Sequence, residues 1–272
     1  MQLLTYSEVP EDKITQTFKN AAWRGLFWVT VIMAVITAYT AIPKGEPTSV
    51  VLIAVPGTVT VLSGLLLCWR LAQALNRRNW LVKAAGNGLY INLQSNTAAP
   101  LAKGVPEVLR LPRETVAHVT RVQELRKLPD RHGHYKNHYT YFDLALTAPV
   151  SEDLLVALAQ IRRNPALRGG FGIRRDLPGA VRIHDRHTIR LVWDWMTPRE
   201  LATAQWFEKN YPAEPLKKIE GPGWDKMDSE ERERYIDTLW EWGHVQDAIL
   251  LASVTRKTSA RTAANYLADR LG

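Results

Sequence analysis

The chain has 272 residues, a formal charge of +8, a pI near 9.6 and a mean hydropathy of −0.20, so it is long enough for several parts and is drawn toward anionic or acidic partners. Its one cysteine, Cys68, excludes an intrachain disulfide and a cysteine-built zinc site. The mean hydropathy averages two unlike portions, a very apolar stretch before Arg70 and a strongly charged remainder.

Residues 1–24 are polar and read as a cytoplasmic N-terminal segment. Residues 25–43 and 47–69 then carry no charged side chain, and they are bounded by Arg24, Lys44, Glu46 and Arg70. As helices they would be about 28 and 34 Å long, which matches a hydrocarbon layer of about 30 Å. Neither has the polar stripe of an amphipathic core helix. Trp23, Trp28 and Trp69 stand near their ends, where amphipathic rings prefer a membrane interface. The reading is a transmembrane helical hairpin over 25–69 with the short turn "KGEP". Arg70, Arg77, Arg78 and Lys83 follow the second span with no acid among them, so the positive-inside rule puts both termini in the cytoplasm of an inner-membrane protein. Ala54 with Thr58, and Thr60 with Gly64, are small residues four apart; they suit tight packing of the hairpin, with a contact between two copies as the alternative.

From residue 79 the pattern changes to short alternating runs. "WLVKA" and "GLYINL" flank "AGNG", a hairpin signal at Asn87-Gly88. "EVLRLP", "ETVAHVTRVQEL", "YTYFDLAL", "AVRIHD" and "TIRLVWD" continue the strand series. "SEDLLVALAQIRRNP" reads as a helix in an insertion over 151–178, capped by Ser151. "TPRELATAQWFEKNYP" reads as a closing helix, capped by Thr197 with Pro198 first and Glu200 completing a capping box; Leu201, Ala204, Phe207 and Tyr211 form its apolar face.

On "WLVKAAGNGLYINL", the Leu-Pro-Arg entry into "LPRETVAHVTRV" and the closing helix, the region 79–211 resembles the bacterial pleckstrin-homology-like domains found beside paired membrane spans. The resemblance implies a fold shared with lipid-binding and peptide-binding modules, and no catalysis. "EPLKKIEGPGW" places a linker at 212–226, and three short helices follow over 227–272. Asp228 with Glu231 caps the first of them; docking of this module within the chain, or a partner, would bury its apolar faces. The expected fold class is therefore a membrane-anchored α+β protein: a two-helix transmembrane hairpin, an antiparallel-sheet pleckstrin-homology-like domain with a closing helix, and a small all-α bundle.

The candidate anionic-lipid contacts are Arg70, Arg77, Arg78, Lys83, Arg126, Lys127 and Arg131, each worth on the order of 1 kcal/mol beside an anionic membrane. Trp240 and Trp242, which cannot share one helical face, are the candidate partner contacts. "DRHGHYKNHY" gathers His132, His134 and His138 beside Asp130, but as the tip of a hairpin it reads as a solvated basic loop and not as a metal site. "RGGFG" lacks the strand, helix and Lys-Ser/Thr of a phosphate loop, and "HDRH" at His184 reads as a strand turn. No cofactor and no nucleic acid are implied. The expected partners are the membrane and a protein, with self-association open, and the expected role is an integral membrane protein that presents its cytoplasmic pleckstrin-homology-like domain and helical module to protein or anionic lipid. The alternative is a membrane-anchored enzyme with its site between the sheet and the helical insertion, where clustered His, Asp or Glu would favour it and a cleft filled by Leu and Val would count against it.

Overall fold

A computed structural model describes residues 1–20, 23–41, 50–75, 79–93, 106–130, 133–163, 181–193, 196–221, 223–241 and 245–271. The N-terminal segment opens the first sheet, with β1 (Gln2–Leu4) and β2 (Ile14–Asn20) before a helical hairpin of α1 (Trp23–Ala41) and α2 (Val50–Leu75). β3 (Val82–Ala85), β4 (Gly88–Asn92) and β5 (Val108–Pro112) follow, and β10 (Met196–Thr197) completes the antiparallel order β1-β5-β4-β3-β2-β10. Residues 1–24 are thus not a separate segment. Phe18 lies opposite Val82 and is fully buried, so the sheet domain is built from both sides of the hairpin that interrupts it.

The β3–β4 turn shows why "AGNG" is informative. Gly86 and Asn87 form the two-residue loop, and Gly88 opens β4 with φ 146°, a region L side chains rarely enter. A Cβ there would stand 2.2 Å from the Leu111 carbonyl oxygen, so β5 can approach only because the position is glycine.

The second sheet has the order β11-β6-β7-β9-β8. Its centre is the long hairpin of β6 (Val116–Asp130) and β7 (Gly133–Leu146), joined by β9 (Thr188–Val192), β8 (Val181–Asp185) and β11 (Ala213–Glu220). Residues 213–220 therefore form a strand where a linker was expected, and β11 runs parallel to β6 in a sheet expected to be antiparallel throughout. Its side chains are mostly exposed because it is an edge strand, and this hides it from a hydrophobic pattern.

The two sheets face each other across one apolar core. Leu89, Ile91, Leu109 and Leu111 come from the first, and Val119, Phe142, Leu144, Ile189 and Leu191 from the second. α3 (Glu152–Arg163) adds Leu154 and Leu158, and α4 (Glu200–Asn210) adds Ala204 and Phe207. Phe18 meets Phe207 in a stacked arrangement at 6.0 Å and Trp193 edge-on at 5.3 Å. The rest of the proposed insertion, residues 164–178, lies outside the described residues.

The cap of α4 differs from expectation. Arg199 is its N-cap residue, and the Glu200 carboxylate accepts hydrogen bonds from Gln123 Nε2 at 2.7 Å and Thr140 Oγ1 at 3.0 Å, so it ties the helix to the second sheet and closes no capping box. Leu201 is exposed, while Ala204, Phe207 and Tyr211 are buried as the spacing implies.

The hairpin packs closely where small residues allow it. Thr37 Oγ1 lies 3.2 Å from Thr60 Oγ1, and a Cβ on Gly57 would meet Thr37 Cγ2 at 3.8 Å. Its outward positions, among them Trp28, Ile32, Val35, Tyr39, Val61 and Leu65, are exposed.

A membrane span needs about 20 consecutive apolar residues, and among the described residues no helix is long and apolar enough to cross a membrane. This overturns the transmembrane hairpin, and with it the membrane-anchored fold class, the integral membrane role, the membrane as partner, and the inner-membrane location with both termini cytoplasmic. The observed architecture is α+β, with two sheets and, among the described residues, seven α-helices.

Three of those helices form the C-terminal module: α5 (Ser229–Glu241), α6 (Val245–Thr255) and α7 (Ala260–Leu271). The Asp228–Glu231 capping box is present, with Glu231 N donating to Asp228 Oδ1 at 2.8 Å and Asp228 N to Glu231 Oε2 at 3.0 Å. The module docks on the outer side of the β6–β7 hairpin, where Leu128 enters its apolar cluster.

Candidate functional site

A strand alternates its side chains between two faces. On β6 this sends Val119 into the core and Val122, Glu124, Arg126 and Leu128 to the outside of the second sheet. Strand register extends the face: Val122 lies opposite Tyr141, which lies opposite Val192; Glu124 lies opposite Tyr139; and Asp143 lies opposite Arg190, which lies opposite Arg182. The outer face thus carries three arginines, two acids and two tyrosines in a row of apolar neighbours that includes Ile219 of β11.

Arg126 is at the centre and is 1% exposed. Its Nε and Nη2 donate to the two carboxylate oxygens of Glu124 at 2.7 and 2.9 Å, a bidentate fork, and Nη2 also reaches the Tyr141 hydroxyl at 3.1 Å. The guanidinium lies 4.6 Å from the Tyr139 ring centroid. The remaining Nη1 makes no hydrogen bond and stands 3.9 Å from Asp247 Oδ2, which reaches in from α6 and accepts a hydrogen bond from the Tyr139 hydroxyl. A second fork joins Arg190 to Asp143 at 2.7 and 2.8 Å, with the Arg190 guanidinium 4.6 Å from the Tyr141 ring.

The ionisation follows from these contacts. Burial works to raise the Glu124 carboxyl, but the hydrogen bonds and charge of Arg126 outweigh it and hold Glu124 below its ordinary value. Arg126 is raised: burial opposes its charge, and Glu124 more than offsets that. Burial pushes Tyr141 well up, and pushes Tyr235 of α5 to about 12. At neutral pH the cluster holds paired ions and neutral phenols, and each resolved shift in it lies away from neutrality. That suits a positioning network better than proton transfer.

The residues singled out from sequence are not gathered into one basic surface. Arg126 is buried in the network just described, so it cannot touch a lipid head group. Lys83 is buried on β3, paired with Glu11 and 4.8 Å over the Trp80 ring. Lys127 is exposed on the other face of β6, 3.7 Å from Glu220. Arg70 belongs to α2, while Arg77, Arg78 and Arg131 lie outside the described residues. Trp240 is 1% exposed inside the helical module, which makes it a core residue and not a partner contact, and Trp242 lies outside the described residues. His132 also lies outside them, His134 falls on β7, and His138 is exposed; among the described residues no group of three or more His, Cys, Asp or Glu could hold a metal.

The site residues that sequence reasoning missed are Glu124, Tyr139, Tyr141 and Asp247. The spacing in "VQELRKL" did hold a clue, since an acid and a base two apart on a strand share one face. Where the enzyme alternative placed a cleft, beneath α3, Leu154, Ala157 and Leu158 are buried against the core.

Compared with known proteins, no family model matches the chain, and neither a curated protein nor a solved structure matches it.

Proposed function

We propose that the chain is a non-catalytic protein-recognition module whose two-sheet body is of the pleckstrin-homology-like kind. The observation that carries this reading is the use of its buried charged groups. Glu124, Arg126, Asp143 and Arg190 are spent on bidentate pairs that fix side chains on an outer sheet face, while the interior between the sheets is filled with apolar side chains. A catalytic centre would need an accessible nucleophile or base beside a substrate-sized opening. A rigid sheet with aromatic and arginine side chains on its outer face has the composition that recognition surfaces favour.

Amine-reactive cross-linking of the full chain in extracts of its source cells, read by mass spectrometry, tests this. Lys127, Lys136, Lys217 and Lys218 are exposed on the β6–β7 hairpin and β11, the elements that carry that face. Cross-links from a protein partner should concentrate on these lysines. Cross-links spread evenly over the chain, or absent from these four, would reject the reading.

A further inference from the structure

We infer that the outer face of the second sheet is a docking site for an apolar helix bearing an acidic residue in its first turn, and that α6 is the built-in occupant of that site. The inference rests on the recognition role above and names the chemistry of the ligand.

The seam between module and sheet is built for release. In the module's apolar cluster Ile236, Leu239, Trp240, Ala248, Ile249, Leu251, Ala252, Ala263, Ala264 and Leu267 come from α5 to α7, Trp224 comes from the turn before α5, and among the described residues Leu128 is the one buried member from the sheets. Ion pairs internal to the module brace it as a body, with Arg270 bonded to Glu233 and Asp237 and Arg256 bonded to Glu233. Separation of the module therefore leaves both apolar cores nearly whole. The chain between them passes through Gly221, whose N–H donates to the Leu125 carbonyl at 2.8 Å, so β11 can stay in the sheet while the helices leave.

What holds the seam is polar. Asp247, 2% exposed, accepts from the Tyr139 hydroxyl and lies 3.9 Å from Arg126 Nη1. Two buried atoms at the seam, Arg126 Nη1 on the sheet and the Tyr235 hydroxyl on α5, make no hydrogen bond. An interface evolved only for permanent closure would pair or replace such atoms, because each buried orphan opposes docking. Arg126 and Tyr139 present a cation and a hydroxyl to a carboxylate, and Leu128, Val122 and Ile219 surround them with apolar surface. The matching ligand is a helix with one acid at its start and aliphatic residues a turn further on, as in α6 itself.

The test uses the full chain, its Asp247→Asn and Leu128→Ala variants, and a stapled helical peptide of residues 244–256. Loss of a charge-assisted hydrogen bond in a buried seam shifts an opening equilibrium by about tenfold or more. Amide exchange over α5 to α7 and along β6 should therefore quicken by about that factor in both variants, while β3, β4 and β5 remain protected as in the parent. The peptide should bind Asp247→Asn about tenfold more tightly than the parent chain, whose own module competes as a tethered ligand. A peptide with asparagine at its own position 247 should bind more weakly by a similar factor. Unchanged exchange over the module in both variants overturns the inference. So does an opened module that fails to take the peptide, or takes both peptides equally. In either case cross-links to the hairpin lysines could still be found, so the broader recognition reading would stand or fall separately.

Discussion

Replacing Glu124 by leucine is the sharpest probe of the outer face. The side chains of Glu124 and Arg126 are 7% and 1% exposed, so the substitution leaves a guanidinium in the seam without its bidentate partner. Breaking one member of a buried pair costs about 3–5 kcal/mol. Two contacts soften the loss here, because the Tyr141 hydroxyl stays within 3.1 Å of Nη2 and the Asp247 carboxylate can close on Nη1 from 3.9 Å. The expected cost is therefore at the lower end, about 3 kcal/mol. The double variant Glu124→Leu/Arg126→Met removes both charges and keeps the volume, and it should recover most of this loss. Urea unfolding of the parent, the two single variants and the double variant gives the coupling directly. A single Glu124→Leu cost below about 1 kcal/mol, or a double variant no better than the worse single one, would refute the argument that an uncompensated buried charge is what the fork prevents.

The same pair has a pH signature. The folded value of Glu124 lies below its unfolded value near 4.5, so its contribution is complete above about pH 4.5 and is lost as pH falls through the folded value. The parent should accordingly lose more stability between pH 6 and pH 3 than Glu124→Gln, and equal losses in urea midpoints would count against the assignment. Gly88→Ala should destabilise by several kcal/mol, about 1–3 from the backbone region and more from the Cβ set 2.2 Å from the Leu111 oxygen, whereas Gly64→Ala, with nothing within 4 Å, should be nearly neutral; thermal melts compare them. In aqueous buffer the exposed apolar side chains of α1 and α2 should drive copies together, at about 1.5–3 kcal/mol for each large side chain covered. Ile32→Gln, Val35→Gln and Leu65→Gln combined should shift sedimentation velocity toward smaller species, and an unchanged distribution would remove the hairpin as the cause.

Local chemistry explains which elements could be read. "AGNG" marks its turn because two strands must reverse there and the glycine at 88 admits a conformation barred to other residues. The Asp228–Glu231 box was legible for the same reason, since both partners lie within one turn. β1 and β2 were not legible. Both pair across the helical hairpin: Gln2 finds its partner at Arg110 and Phe18 at Val82, far along the chain. β11 was hidden by its own composition, since Pro215, Lys217, Lys218 and Glu220 belong to an exposed edge that alternation cannot reveal. Arg126 shows the limit most clearly. Its charge is plain in the sequence and suggests a basic surface shared with Lys127, yet adjacent strand residues point to opposite faces, and the face of Arg126 is covered by α6.

That covering also explains why ions, and not aliphatic side chains, sit under the module. Replacement of a buried pair by apolar residues of similar volume is often neutral or stabilising, so maximal stability does not account for the Glu124–Arg126 fork. The fork does something an apolar contact cannot. It engages two of the three guanidinium nitrogens, Nε and Nη2, from the sheet itself and so fixes the orientation of Arg126 through contacts that do not involve the module. The third nitrogen, Nη1, is left 3.9 Å from Asp247 Oδ2, and the strength of its interaction depends on what stands there. An apolar seam would accept any greasy helix in many registers. A fixed guanidinium beside the Tyr139 hydroxyl accepts a carboxylate at one place, so the energy given up in desolvation is returned as a choice of ligand and register.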